Sequence, residues 1–275
     1  MHSLKKWIIL FIFSVLVIAF IAKVYVDTNY FKVNRVAFNS NKVQANSEFR
    51  ILQISDLHNK IFGDNNEKLI ETIENMNADI VVLTGDLIDR STDDFNDIFN
   101  LIETITAAYE NVFFVSGNHE WGSAHYEELL NGLQERNVTV LDNKSEQITT
   151  NQTTLNIVGV DDSSTNQENI DEAFAGINGE HHTILLSHSP GIIEKYDTIP
   201  ADLILSGHTH GGQVRIPFIG AIVTPGEGLF PYFEKGIYKL GQNRHLYIDS
   251  GLGTSVAPIR FLNQSQLSLI TVSGM

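Results

Sequence analysis

The chain has 275 residues, with 18 basic against 33 acidic side chains and a formal net charge of −15 at pH 7. From Val36 onward there are 13 basic against 32 acidic side chains, a field that repels nucleic acid, so we do not expect DNA or RNA as a partner. The chain has no cysteine, which excludes a disulfide framework and a thiolate metal site.

The first predicted element is an apolar segment near the N-terminus. Residues 7–22 are uncharged, and residues 24–26 extend the apolar run past Lys23. About twenty such residues cross a hydrocarbon core of about 30 Å. No Ala-x-Ala cleavage site follows the run, which favours a retained anchor over a cleaved signal peptide. We therefore expect a tail at residues 1–6 and a transmembrane anchor at residues 7–26.

The charges around this anchor give opposite indications of its orientation. Lys5 and Lys6 precede it, which favours a cytoplasmic N-terminus and an extracytoplasmic body in the cell membrane, whereas Lys23, Lys32 and Arg35 on the other side favour the reverse. Residues 27–48 are predicted to form an edge strand, over residues 31–38, and a polar linker into the body at residues 49–275.

Five short apolar runs in the body are typical of strands covered on both faces. They are residues 50–54, 79–83, 111–115, 183–186 and 202–206. Helical patterns follow the first three, at residues 66–76, 94–109 and 125–137. Further strand patterns follow at residues 153–160, 213–216, 236–240, 245–249 and 266–272. The order is a βαβαβ start followed by a region rich in strands, which predicts an α/β fold.

Each of the five runs ends in side chains that bind hard or borderline metals. In chain order these are Asp56 and His58, Asp86 and Asp89, Asn118 and His119, His188, and His208 and His210. Ligands gather at the carboxyl ends of strands in open α/β sheets. The glycines around the last pair allow a sharp turn there. Five such strand ends in one chain predict a metal site.

These blocks resemble, in the same order, those of the calcineurin-like metallophosphoesterases, over about residues 49–272. The resemblance implies two mixed β-sheets packed face to face and flanked by helices, a four-layer sandwich. Residues 211–214, the tail from Ser250 to Phe261 and the N-terminal anchor resemble a membrane-associated bacterial subgroup. That subgroup includes YaeI- and YkuE-type phosphodiesterases and one class of UDP-2,3-diacylglucosamine pyrophosphatase.

The resemblance also implies a role for each block. It implies two divalent ions (Mn, Fe or Zn) bridged by Asp86, and the remaining ligands divide into two sets: Asp56, His58 and His210 at one ion, and Asn118, His188 and His208 at the other. A metal-bridging hydroxide would attack phosphorus. His119 would be the general acid, or else a packing residue. Asp89 would orient a ligand imidazole or cap a helix.

The sequence leaves the substrate and several residues open. We expect a phosphodiester or pyrophosphate bond, in a lipid-linked or other small substrate; the alternatives are soluble nucleotides or cyclic nucleotides, or a non-catalytic scaffold. Arg215 and Arg260 can contact a substrate or be solvated, and Arg90 and Glu120 have no assigned role. Apolar residues at 218–233 can form a lipid-facing lip or belong to the core.

Overall fold

A computed structural model describes residues 2–225, 228–255 and 257–275, except for the side chain of His2. Part of the predicted lip, residues 226 and 227, lies outside the described residues. The helices are α1 (His2–Asn29), α2 (Glu67–Glu74), α3 (Asn96–Ala108), α4 (Asn118–Trp121), α5 (Tyr126–Glu135), α6 (Ile170–Ala173) and α7 (Ile192–Lys195), with 3₁₀ turns at Ser163–Thr165 and His210–Gly212.

The strands are β1 (Lys32–Ser40), β2 (Glu48–Ile54), β3 (Ile80–Leu83), β4 (Val112–Phe114), β5 (Thr139–Val140), β6 (Lys144–Thr150), β7 (Thr153–Gly159), β8 (His182–Leu186), β9 (Leu203–Ser206), β10 (Arg215–Ile216), β11 (Gly220–Ala221), β12 (Val223–Thr224), β13 (Gly228–Leu229), β14 (Gly236–Gly241), β15 (Arg244–Ile248) and β16 (Gln266–Gly274).

Twelve of these strands form two mixed six-stranded sheets. The first has the order β1-β16-β2-β3-β4-β5 and the second β14-β15-β9-β8-β7-β6. Strands β2 to β5 run parallel, and so do β7, β8, β9 and β15. The carboxyl ends of β2, β3 and β4 in one sheet and of β8 and β9 in the other carry the five predicted ligand blocks.

The two sheets pack face to face through a mainly apolar layer, which a few buried hydrogen bonds also cross, such as that from Gln53 Nε2 to the Ser206 carbonyl (3.0 Å). Phe49, Ile51 and Phe113 of the first sheet meet Ile157 and Leu205 of the second in one buried cluster. The outer face of the first sheet is covered by α2, α3 and α5, and that of the second by α6 and α7. Each sheet therefore buries both faces, which explains why its central strands are continuous apolar runs. The predicted four-layer α/β sandwich is confirmed.

Several element bounds differ from the sequence patterns. The edge strand β1 extends to Ser40 because it pairs in parallel with β16 along its whole length. The strand predicted at residues 213–216 is shorter, since Gln213 has a φ of 32° and pairing begins at Arg215. Strand β6 has no apolar pattern because it is a largely exposed edge strand, antiparallel to β7.

Helix α1 stands apart from the sandwich and packs against it only near its C-terminal end. Among the described residues it is the one helix long and apolar enough to cross a membrane, with a mean hydropathy of 2.7 over an 18-residue window within Ser3–Asn29, although a signal sequence would have the same properties. Its last turns are fixed by two backbone groups: the Ser265 N–H donates to the Asp27 carbonyl (2.9 Å) and the Arg260 N–H to Thr28 Oγ1 (2.8 Å).

Candidate metal centre

The predicted metal-binding residues meet at one end of the sandwich. Asp86 is central: its Oδ2 lies 3.6 Å from His58 Nε2 and 3.3 Å from His188 Nε2. On one side, Asp56 Oδ1 lies 3.6 Å from His210 Nε2. Two sets of donor atoms result, each within 4.8 Å and both containing Asp86: Asp56, His58, Asp86 and His210, and Asp86, His188 and His208.

The chemistry of these side chains fits two divalent ions. Among the described residues, no hydrogen-bond partner reaches Asn118 Oδ1, His208 Nε2 or His210 Nδ1, although these atoms are buried. Buried polar atoms normally have a partner, so these three are available for coordination. Imidazole nitrogens also face each other at 3.1 Å, in the pairs His58–His210 and His188–His208. Nitrogen and oxygen donors of this kind suit Mn, Fe or Zn.

Burial and mutual charge determine the protonation of the centre. Burial opposes ionisation of Asp86, but the neighbouring His188 imidazole outweighs it and holds the pKa of Asp86 well below its usual range. Burial lowers the pKa of His210, and burial together with the charge of His188 lowers that of His208 to about 4. Asp86 is thus anionic and the two His-x-His imidazoles are neutral at pH 7, whereas the carboxylates of Asp86 and Asp56 raise the pKa of His188, so binding of a cation there would displace a proton.

The backbone of the centre is unusual for non-glycine residues. Asp56, His58, Asp86, His208 and His210 all have φ between 47° and 69°. L-residues rarely adopt this left-handed region, and such conformations cluster at functional sites, where the surrounding structure maintains them. Gly85 adopts a φ of +83°, and a Cβ there would lie 2.7 Å from His188 Nδ1. The turns therefore aim the side chains inward at a conformational cost.

Glu120 holds two of these loops together. Its carboxylate is fully buried and accepts backbone N–H groups from Asp86 (2.8 Å), Leu87 (2.7 Å), Ile88 (3.3 Å) and Gly117 (2.8 Å). Burial and the charge of Asp86 raise the pKa of Glu120 to about 7, against the effect of the N–H donors. The role of Glu120 has no sequence signature, because its partners are backbone groups and leave no residue pattern.

His119 and Asp89 lie at the mouth of the centre. Asp89 Oδ1 is 2.9 Å from His58 Nδ1 and 3.4 Å from His119 Nδ1. Hydrogen bonding to His119 and to His58 holds the pKa of Asp89 well below its usual range. The His119 N–H donates to Asp86 Oδ1 (2.9 Å), so its backbone is tied to the centre. This contact with His58 Nδ1 is the geometry that one of the two expected roles of Asp89, orientation of a ligand imidazole, requires.

A cavity of about 670 Å³ opens over the centre. Its lining residues are Asp89, Arg90, Ser91, Asn118, His119, Ser164, Thr165, His208, Pro225 and Ser255. Arg90 is therefore positioned to face a bound molecule. Arg215 instead pairs with Glu234 at 2.6 Å. Arg260 is fully buried and donates to the carbonyls of Ser250 (2.6 Å), Gly253 (2.6 and 2.9 Å) and His210 (3.4 Å), so it supports the centre from behind.

Two groups of buried donors that share one carboxylate under an open cavity define a dinuclear metallohydrolase. Residues 49–212 match the family described as calcineurin-like phosphoesterase, and the chain belongs to this family, whose members use two divalent metal ions. It is accordingly a metal-dependent phosphoesterase.

Relatives of the chain have the same family assignment. The uncharacterized metallophosphoesterase YkoQ of Bacillus subtilis (strain 168) is 30% identical over 88% of this chain and 91% of its own length. YkuE of the same organism, also an uncharacterized metallophosphoesterase, is 29% identical over 82% and 79%. Among solved structures, Haemophilus influenzae NAD nucleotidase overlaps 76% of this chain but only 46% of its own chain, at 19% identity and a TM-score of 0.47.

Proposed function

We propose that the chain is a membrane-anchored enzyme that hydrolyses phosphodiester or pyrophosphate bonds in a lipid-linked substrate. The observation that carries this proposal is the closeness of the metal centre to helix α1. A single residue, Arg260, donates its backbone N–H to Thr28 at the end of the helix and a guanidinium N–H to the carbonyl of His210. A centre held that near a bilayer meets lipid-linked substrates at a high effective concentration.

In this proposal the family's ligand pattern applies to the donor groups described above. Asp86 would hold both ions; Asp56, His58 and His210 would hold one of them, and Asn118, His188 and His208 would hold the other. The bound ions would activate water and stabilise charge on the phosphoryl oxygens during in-line displacement. His119 donates a proton to the leaving oxygen from the cavity wall, and Asp89 holds the imidazole of His58 in position.

Membership of the membrane-associated subgroup that the motifs resemble is part of this proposal, and it makes UDP-diacylglucosamine and related lipid-linked pyrophosphates suitable test substrates. The open cavity of about 670 Å³ has room for a head group, and Arg90 in its wall supplies a positive charge for a phosphate. The segment at residues 1–48 is then the tail, anchor, edge strand and linker, and residues 49–275 are the catalytic domain.

The full chain, purified in detergent and loaded with Mn²⁺, tests the proposal. We expect two ions per chain by elemental analysis and hydrolysis of bis(p-nitrophenyl) phosphate. A panel of UDP-diacylglucosamine, phospholipids, nucleotides and cyclic nucleotides then identifies the substrate class. Efficient turnover of nucleotides alone would contradict the lipid-linked substrate. Two bound ions without any hydrolysis would instead indicate a scaffold.

A further inference from the structure

An apolar surface next to the metal centre has no role in the proposed chemistry. It is formed by two short hairpins, β10–β11 and β12–β13, and the segment that follows them. In the sequence, residues 216–233 contain a single charged side chain, Glu227. The large apolar side chains exposed here are Ile216, Phe218, Ile219, Val223, Leu229, Phe230 and Tyr232. We call them the apolar lip; Phe233, in contrast, is buried in the core.

Two phenylalanines of the apolar lip are exposed to solvent from turns in which their own backbone φ angle is positive. Phe218, in the turn between β10 and β11, is completely exposed and has a φ of 67°. Phe230 follows β13, is 67% exposed and has a φ of 52°. Water is an unfavourable environment for such side chains, and contiguous exposed apolar patches usually mark binding surfaces. The backbone turns that display them are themselves unfavourable for non-glycine residues.

The apolar lip is continuous with the surface of helix α1. The Phe20 ring, within the apolar part of the helix, packs against the Phe261 ring with centroids 4.7 Å apart. Phe261 is joined by backbone hydrogen bonds to Gln213 (2.9 Å) and Arg215 (3.0 Å), at the base of the first hairpin. Leu262 and Phe218 line one surface groove. Phe20 lies within the predicted membrane anchor. Its contact with Phe261 therefore places the first hairpin beside the part of α1 that would enter a bilayer.

The same surface borders the catalytic cavity. Pro225 and Ser255 line both that cavity and a second one of about 330 Å³, whose other lining residues include Val214, Val223 and Ala257. The second cavity has a mainly apolar wall and lies between the metal centre and the apolar lip. An apolar path thus leads from the lip toward the centre.

We infer that the apolar lip inserts into the acyl-chain region of the bilayer that holds α1, so that the catalytic cavity opens at the lipid surface. This inference depends on the membrane anchoring in the proposed function but not on hydrolysis. Insertion removes the exposed rings of Phe218, Phe230 and Tyr232 from water, while Arg215 and Glu234, which line the groove beside Phe218, neutralise each other as an ion pair. The driving force is hydrophobic, so the contact does not require anionic lipid.

Because the chain has no cysteine, single-cysteine variants can be labelled at chosen sites without background. Phe218→Cys and Phe230→Cys are labelled with the fluorophore NBD in the full chain, reconstituted into nanodiscs of phosphatidylcholine containing doxyl-labelled acyl chains. Ile12→Cys in α1 is the membrane control. Asn151→Cys, in the turn between β6 and β7 at the opposite end of the sheets, is the aqueous control.

We expect blue-shifted emission and strong doxyl quenching at residues 218 and 230, near the values at residue 12 and unchanged in about 1 M salt, with little quenching at residue 151. Strong quenching at residue 12 with as little quenching at residues 218 and 230 as at residue 151 would overturn the inference. The same result would still support membrane insertion of α1. Hydrolysis of bis(p-nitrophenyl) phosphate by the labelled variants serves as the folding control. Failure of hydrolysis in the unmodified chain contradicts the proposed function and leaves the quenching result valid.

Discussion

Glu120 Oε2 accepts the backbone N–H of Asp86 at 2.8 Å, and this contact links the turn after β4 to the turn after β3. The second carboxylate oxygen accepts the N–H of Leu87 at 2.7 Å. The turn that carries the central carboxylate of the metal centre is therefore supported by a buried carboxyl group that acts through backbone N–H groups.

Glu120→Gln is expected to destabilise the domain. In the wild type, both carboxylate oxygens of Glu120 accept backbone N–H groups. In the variant, the amide NH₂ group replaces one of these oxygens in either orientation, so that a donor faces a donor. An unsatisfied buried donor costs about 1–3 kcal/mol of unfolding free energy. Thermal unfolding of the full chain in detergent measures the loss, with the exposed Glu127→Gln as the matched control. Equal melting temperatures for the two variants would contradict the supporting role of Glu120.

Asp86→Asn is expected to remove both metal ions, because the proposed centre has no other bridging carboxylate among the described residues. His208→Ala removes a donor from one group only, so it should reduce the content by about one ion per chain. Elemental analysis after equilibration with Mn²⁺ distinguishes the two results. Retention of one ion by the Asn variant would show that Asp86 serves a single site.

His119→Ala should leave the metal content nearly unchanged and slow the hydrolysis of esters with poor leaving groups by about 10²–10⁴-fold, the usual range for a positioned general acid. Esters with nitrophenolate leaving groups should be much less affected, because these groups leave without a proton. The ratio of the two rates is the measurement. Equal slowing of both esters would make His119 a positioning residue.

His182 should make the stability of the domain sensitive to acid. Burial lowers the pKa of His182 from its usual 6.5 to about 4. As the pH falls from 6.5 toward 4, the unfolded chain binds a proton that the folded chain does not, so the free energy of unfolding decreases by up to about 1.4 kcal/mol per pH unit.

His182→Gln should therefore flatten the dependence of the melting temperature on pH between about 7 and 5. His125→Gln, at an exposed position before α5, is the control. This variant should show the same dependence of melting temperature on pH as the wild type. His182 lies beside Ser40, on the side of the sheets away from the metal centre, so metal loading does not interfere with this measurement. An unchanged slope in the His182 variant would refute the assignment.

The orientation of the anchor is also testable. With Lys5 and Lys6 in the cytoplasm, the catalytic domain lies outside the membrane, and protease added to spheroplasts of an expressing bacterial host should degrade it. A cytoplasmic marker must remain intact in the same sample. Complete protection of the domain would reverse the topology, in agreement with the positive charges of Lys23, Lys32 and Arg35.

The sequence patterns located the strand ends well because buried parallel strands are continuous apolar runs, and the side chain after each run is a local feature. They could not provide the backbone conformation of Asp56 or His208, which tertiary contacts impose against local preference. The role of Glu120 was also inaccessible, since its partners at residues 86–88 are more than 30 positions away in the chain.

The difference between Phe218 and Phe233 could not be predicted from composition either. Both are aromatic residues in one largely apolar segment, yet the first is fully exposed and the second is buried against the second sheet. Which of them faces water depends on contacts with residues distant in the chain, such as Tyr238 beside Phe233. The choice between lip and core was therefore open until the three-dimensional arrangement was known.

Strand β1 directly follows the anchor, yet its partner in the first sheet is β16, the last strand of the chain. Strand β16 lies between β1 and β2, so β1 can join the sheet only after β16, more than 200 residues further along the chain, has been synthesised. Such long-range pairing delays folding. During synthesis helix α1 is therefore followed by an incomplete domain, and loss of residues 266–274 would leave β1, the strand that links α1 to the domain, without its partner in the sheet.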